Sequence, residues 1–291
     1  MQSIEARIAG LSCWSGKPKL TPLTGGLSTT SFLVEDAKGR FVARFGADVP
    51  AHHVFRDREC AASTAAAAAG LSPAVRHSED SILVIDYIEG RTFTETDMRA
   101  DAPRIAKLLA KAHNEVAAHL RGPANAFWVF HIIRDYAAGL AEHGRPDTQS
   151  YVDLANRLEA RQMPLPVIFG HHDLLPGNIL DDGKRLWLID WEYAGFGTAM
   201  FDLANVAANG SYSTDEEEAL LEAYFGKPAS NQQRESFDAM KVASALREAT
   251  WAMVSSIHLK VPGADYDAHA AEYLDRTQKA LKQFIDQHGQ P

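Results

Sequence analysis

Between Phe169 and Gly195 the chain reads FGHHDLLPGNILDDGKRLWLIDWEYAG. His171, Asp173, Leu174 and Asn178 fall in the pattern H-x-D-L-x-x-x-N. An apolar run, Leu186 to Ile189, then delivers Asp190 at the end of an expected strand, followed by Trp191 and Glu192. Asp181-Asp182-Gly183 separates the two pieces and reads as a hairpin turn. Asp173 is a carboxylate suited to orienting a hydroxyl and accepting its proton. Asn178 and Asp190 are oxygen donors suited to Mg²⁺, a hard cation that keeps several waters or phosphate oxygens and takes few protein ligands. Transfer of a phosphoryl group to an alcohol needs this set, because that reaction asks a protein for positioning and charge more than for covalent chemistry. An isolated H-x-D-x-x-x-x-N is weak as a motif. The short distance to a strand ending in Asp-Trp-Glu makes it specific.

These residues resemble the catalytic segment of the aminoglycoside phosphotransferase and choline kinase superfamily, which shares the two-lobed fold of the protein kinases. HHDLLPGN, then LIDWEYAG, then Phe201-Asp202-Leu203-Ala204-Asn205 is most similar to the choline/ethanolamine kinase branch. The resemblance runs from about Leu20 to about Lys282. It implies Asp173 as base, Asn178 and Asp190 as Mg²⁺ ligands, Asp202 as a support for the catalytic loop, and ATP as phosphoryl donor. The implied fold is α+β: an N-lobe of antiparallel sheet plus helix over residues 1–89, and a mainly α-helical C-lobe over 90–291.

The elements that must position this chemistry are visible upstream. Residues 2 to 10 suit a short helix. Lys19 to Leu23, Phe32 to Val34 and Phe41 to Phe45 read as three strands, with a turn at Asp36-Ala37-Lys38-Gly39. Between the first two lies a glycine and hydroxyl cluster, including Gly25, Gly26, Ser28 and Thr29, where backbone N–H groups can approach phosphates closely. It is neither G-x-G-x-x-G nor a Walker A sequence, and its meaning comes from its distance to Arg44. Arg44 occupies the third-strand position where protein kinases carry a phosphate-contacting Lys. Arg in its place fits the choline kinase branch and can bind phosphates bidentately. Arg56 to Ala69 reads as a helix stopped by Gly70. Its Glu59 is expected to pair with Arg44, as in kinases. Ser81 to Gly90 is an apolar strand ending in a polar break. The resemblance makes it the hinge, with backbone groups near Asp86 and Ile88 at the adenine edge.

Farther on, residues 103–119 show helical periodicity through Ile105, Leu108, Leu109, Ala112 and Val116. Residues 129–143, 147–162, 216–225 and 232–260 are further helices. His113 reads as a hydrogen-bonded structural histidine. The pair His171-His172 lacks partners at zinc-site spacing, and His171 reads as a buried residue that shapes the loop. Glu192 suits a second metal, a cationic substrate or the loop backbone. In choline kinases the region of Leu246 to Trp251 carries aromatics around the choline pocket, where cation–π attraction holds a quaternary ammonium. Trp251 matches one of these aromatics. Glu248 stands where eukaryotic members carry another Trp, three positions earlier and on the same helix face. Tyr266 is a further candidate for the cage. The expected acceptor is thus a small cationic alcohol, choline or ethanolamine. Thiamine and an aminoglycoside are the alternatives, and a non-catalytic kinase-like binding module is the remote one.

Composition bounds the classes. The 291 residues are 46% apolar and 23% charged, as in globular proteins. A net charge of −9 argues against a broad basic face for nucleic acid. Cys13 and Cys60 make no disulfide framework, which points to a reducing, cytoplasmic compartment. The N-terminal segment lacks a basic start and apolar run, so no signal peptide is expected. No stretch approaches the ~20 apolar residues of a membrane span.

Overall fold

The computed structural model describes residues 2–23, 29–79, 81–259, 261 and 263–291. Gly25, Gly26 and Ser28 of the glycine cluster lie outside these residues. Helix α1 (Ile4–Ala9) opens on Ser3, whose side chain accepts from the Ala6 N–H. Strands β1 (Lys19–Leu23), β2 (Thr30–Asp36) and β3 (Gly39–Phe45) follow, then helix α2 (Arg56–Ala68) and strands β4 (Val75–Glu79) and β5 (Ile82–Asp86). The strands form an antiparallel sheet in the order β1-β2-β3-β5-β4.

The turn between β2 and β3 has a local cause. The Asp36 carboxylate accepts from the N–H groups of Lys38 and Gly39, and Gly39 takes φ +145°. Period-two alternation then divides the sheet's faces. Phe32, Val34, Ala43, Ile82 and Val84 pack on Ile8 and Leu11 from the α1 segment. Arg44 lies opposite Ser31 and Leu83 in the register, so these three share the other face.

Helix α2 is alanine-rich, and its small side chains let it nest closely: Ala62, Ala65 and Ala66 are buried. It packs on α4 and joins the apolar core of the helical body, not that of the sheet with which it is contiguous in sequence. Gly70, at φ +71°, turns the chain out of it.

The rest of the chain is mostly helical. Strand β6 (Arg91–Thr92), helices α3 (Glu95–Ala100) and α4 (Ala102–His119), strand β7 (Asn125–Ala126), and helices α5 (Val129–Glu142) and α6 (Thr148–Glu159) come first. Strands β8 (Val167–Gly170), β9 (Ile179–Asp181), β10 (Leu186–Leu188) and β11 (Gly195–Thr198) frame the catalytic segment. Helices α7 (Ala199–Gly210), α8 (Thr214–Phe225), α9 (Asn231–His258) and α10 (Tyr266–His288) complete the body. Helix α9 is its axis, contacting α5, α6, α7 and α10. Its N-terminus is set by a capping box, Ser230 with Gln233. The fold is therefore α+β, an antiparallel N-terminal sheet joined to a helical C-terminal part. Among the described residues no helix is long and apolar enough to cross a membrane.

The framing is a pair of closures. β8 and β11 pair antiparallel with Gly170 opposite Gly195, so the chain leaves and rejoins the same point around residues 171–194. Within that excursion β9 and β10 form the expected hairpin. Both glycines flanking the loop's base are required by close approach. A Cβ at Gly170 would stand 2.4 Å from His172 Cε1, and one at Gly195 would stand 2.8 Å from the Asn125 carbonyl oxygen.

Candidate active site

The loop after β8 is held from below by one face of α7. The backbone N–H groups of His171 and His172 donate to the two Asp202 carboxylate oxygens at 2.9 and 2.8 Å. His113 Nε2 donates to the same carboxylate at 2.9 Å, and His172 Nδ1 lies 3.2 Å from it. Asn205 Oδ1 accepts from the Leu174 N–H at 2.6 Å, and Asn209 Nδ2 donates to the Leu174 carbonyl at 3.2 Å. Positions 202, 205 and 209 share a helix face. His171 Nε2 meets the Ile189 carbonyl at 2.9 Å, which ties the loop to the end of β10. His172 pays for this docking with φ +63°.

Asp202 is fully buried. Burial alone pushes its carboxyl up, but His172 and His113 beside it hold it well below the usual range. A depressed carboxyl stabilises the fold above its ordinary pKa of 3.8, and that stabilisation is lost as pH falls through the folded value. Asp202→Asn is expected to lower Tm at neutral pH, with the gap to wild type narrowing below about pH 4. Melting curves across that range check it; a gap constant with pH would show that the charge contributes nothing.

Asp173 is 9% exposed. The Asn178 side-chain amide donates to the Asp173 carbonyl at 2.8 Å and to its Oδ2 at 3.2 Å. The Ile189 N–H donates to the Asn178 carbonyl at 3.0 Å, which sets Asn178 beside the start of the Asp190 segment. Asp190 itself has φ +68°, a strained conformation for a residue with a Cβ. Its Oδ1 accepts from Arg44 Nη2 at 2.8 Å, and Arg44 Nη1 lies 2.9 Å from Glu59 Oε1. Arg56 Nη1 continues the string, 2.6 Å from Glu59 Oε2 and 2.9 Å from Glu192 Oε2. The alternation runs Asp190, Arg44, Glu59, Arg56, Glu192 through largely buried space. Burial works against the Arg44 charge, but Asp190 and Glu59 keep it firmly protonated. Burial and the nearby Asp190 and Glu59 push the Glu192 carboxyl up to about 7. Burial also raises Asp173 well above the usual carboxylate range; Arg247 opposes the rise, and Glu248, Asp190 and Glu192 add to it.

Thr29 lines a cavity of about 200 Å³ with Arg44, Arg56, Glu59 and Leu83. The residues expected at the hinge are placed differently. Asp86 lies opposite Phe41, on the face away from Arg44. Its carboxylate makes a bidentate pair with Arg76, both contacts at 2.6 Å, and its N–H donates to the Ala74 carbonyl at 3.0 Å. Asp86 and Ile88 line a separate cavity of about 550 Å³ with Trp14, Phe41 and Tyr87.

Helices α9 and α10 meet around the expected acceptor residues. Glu248 lies 2.9 Å from Arg247 Nη1 and 3.1 Å from His269 Nε2. Trp251 is buried; its indole N–H donates to the Tyr193 hydroxyl at 2.8 Å, and its ring lies 6.1 Å from that of Tyr266 and 6.0 Å from that of His269. The structure thus brings Trp251 beside Tyr266 and His269, with Glu248 already held by Arg247 and His269. Sequence reasoning did not single out Arg56, Arg247, His269, Tyr193 or Asn209. Arg56 had a signal in its spacing, three residues before Glu59 at a helix start. Asn209 had one in its spacing from Asp202 and Asn205. Arg247 is a buried arginine whose helix face also carries Ser244 and Thr250.

Fold and site together define a phosphotransferase of the kinase-like type. Residues 19–241 match the model of the phosphotransferase enzyme family, and the chain belongs to that family. A choline/ethanolamine kinase family protein from Mesorhizobium loti has the same fold, with TM-score 0.77 and 26% identity over 97% of this chain and 93% of that one. A probable ethanolamine kinase of Arabidopsis thaliana is 31% identical over 166 residues, which span 52% of this chain and 44% of that protein. A thiamine kinase of Escherichia coli (strain SMS-3-5) is 28% identical over 71% of this chain and 72% of its own length.

Proposed function

We propose that the protein transfers the γ-phosphoryl group of ATP to the hydroxyl of a small amino alcohol, with choline and ethanolamine as first acceptors. The observation that carries this reading is the linkage of Asp173 to Asn178 and of Asn178 to the strained Asp190 segment, with Arg44 seated on Asp190. In this reading the nucleotide lies between residues 1–89 and 90–291. Likeness to the choline/ethanolamine kinase family protein and to the probable ethanolamine kinase supports the acceptor class.

Asn178 and Asp190 fit Mg²⁺. One carboxamide oxygen and one carboxylate suit a hard cation whose other ligands are waters and phosphate oxygens. The Asn178 amide nitrogen is spent on Asp173, so its oxygen is the atom turned to other use. The cation, when bound, would neutralise charge on the β- and γ-phosphates. Arg44 binds phosphate oxygens while Glu59 keeps its side chain in place. Asp173 orients the acceptor hydroxyl in line and takes its proton as the new bond forms. The raised proton affinity of Asp173 suits that late acceptance. Trp251, Tyr266 and Glu248 wall the acceptor, and Glu192 braces Arg56 behind the nucleotide site.

ADP release with Mg²⁺-ATP against choline, ethanolamine, thiamine and an aminoglycoside tests the reading. Turnover with an amino alcohol is expected. Preference for thiamine or the aminoglycoside would keep the roles of Asp173, Asn178 and Asp190 and remove the acceptor assignment. Tight Mg²⁺-ATP binding with no turnover on a broad alcohol panel would favour a binding module.

A further inference from the structure

One buried charge beside Asp173 has no use in the chemistry above. Arg247 on α9 is 2% exposed. Its guanidinium lies over the Tyr193 ring, with Cζ 4.3 Å from the centroid. Nη1 stands 2.9 Å from Glu248 Oε2 and 3.8 Å from Asp173 Oδ1. Nε and Nη2 are buried and have no hydrogen-bond partner among the described residues. An unpaired buried donor costs roughly 1–3 kcal/mol, and more on a charged group. Native interiors rarely leave such groups idle without a ligand, ion or water to complete them.

The side of Asp173 matters. Asn178 holds its Oδ2, whereas Arg247 approaches Oδ1. We propose that Arg247 receives an anionic oxygen next to the acceptor hydroxyl. The inference rests on the reading of Asp173 as the base. Two sources offer the same chemistry: an acid group carried by the acceptor, or the phosphoryl group in transfer. The neighbouring Glu248 gives the first source a physical logic. An acceptor bearing both an ammonium and a carboxylate would split the Arg247–Glu248 pair, each half then facing the opposite charge. His269 lies 3.1 Å from the other Glu248 oxygen.

The test compares wild type with Arg247→Lys, which keeps the charge but lacks Nε and the planar fork, and with Arg247→Met. Thermal melts and calorimetric Mg²⁺-ADP affinity come first. Failure of wild type to bind Mg²⁺-ADP would remove the kinase reading and this proposal with it, whereas the arms below overturn this proposal alone. Ethanolamine and serine then form a matched pair differing by one carboxylate. If the acceptor supplies the oxygen, wild type uses serine, and Arg247→Lys raises its KM by about tenfold or more while that for ethanolamine moves less than about twofold. If the phosphoryl group supplies it, aluminium fluoride tightens ADP retention in wild type, and Arg247→Lys loses about tenfold of that tightening with Mg²⁺-ADP affinity kept. A folded Arg247→Lys that matches wild type in both arms overturns the proposal and leaves Arg247 as a buried brace.

Discussion

Asp173→Ala is expected to lower turnover by about 10³-fold, within the ~10²–10⁴ ascribed to a positioned acid or base, while Mg²⁺-ATP affinity stays close to wild type. The separation follows from position. Asp173 touches Asn178 and approaches Arg247, but it makes none of the contacts of the Arg44–Glu59–Arg56 string. Burial raises its proton affinity, Arg247 opposes the rise, and Glu248, Asp190 and Glu192 add to it. Asp173→Asn keeps the shape and should show the same loss. Rapid-quench turnover beside calorimetric ATP binding reads both quantities. Retained turnover would sink the assignment of the base, and loss of ATP binding in a folded variant would move Asp173 to the nucleotide site.

Arg44→Met should have the largest effect on stability. Among the described residues Arg44 is the only cation paired with Asp190, and it shares Glu59 with Arg56. Its own side chain is 10% exposed, that of Glu59 4% and that of Asp190 27%. Removing one partner of a buried ion pair typically costs roughly 3–5 kcal/mol, because the remaining charge stays desolvated. Asp190 is partly solvated, which places the expectation at the lower end of that range, a fall in Tm of several degrees. Arg44→Lys should fall less in Tm but still lose nucleotide affinity, since an ammonium cannot span Asp190 and Glu59 as the guanidinium fork does. Mg²⁺ alone should stabilise Arg44→Met more than wild type, because Asp190 is then released for the cation. Calorimetric melts with and without Mg²⁺ decide the point; an unchanged Tm would mean that the string carries no stability.

Much of this was legible in the chain. Strand β2 alternates, and α4, α5 and α6 have one apolar stripe each, so local periodicity names them; β4 was not anticipated. The spacing of Asp173, Asn178 and Asp190 marks a site because those residues come from one hairpin, where sequence distance and spatial distance agree. Helix α7 was not anticipated: it is buried on nearly every side, so Ala199 to Gly210 show no amphipathic stripe. Strands β7 and β11 were also missed, since two to four residues carry no period. The Arg56–Glu192 pair spans 136 residues, and no local rule reaches that far. Glu248 was read with Trp251 as one wall of the acceptor pocket. Its two neighbours, Arg247 and His269, became visible only when α9 and α10 were set side by side.

The division of the apolar interior into separate cores has a consequence for motion. Ile8, Leu11, Phe32, Val34, Ala43, Ile82 and Val84 form the sheet's own cluster, while α2 belongs to the helical body. Arg44 therefore reaches from one cluster to a glutamate seated on the other. Charge, not shared apolar packing, joins sheet to body at this point. Amide protons of β2 and β3 should then exchange with solvent through local openings of lower free energy than those of α7 and α9. Nucleotide bound across the two clusters would slow that exchange in β2 and β3 and leave α9 unchanged. The hairpin of β9 and β10, whose Ile179, Leu186 and Leu188 belong to the helical body's cluster, should keep its protection while β2 and β3 open.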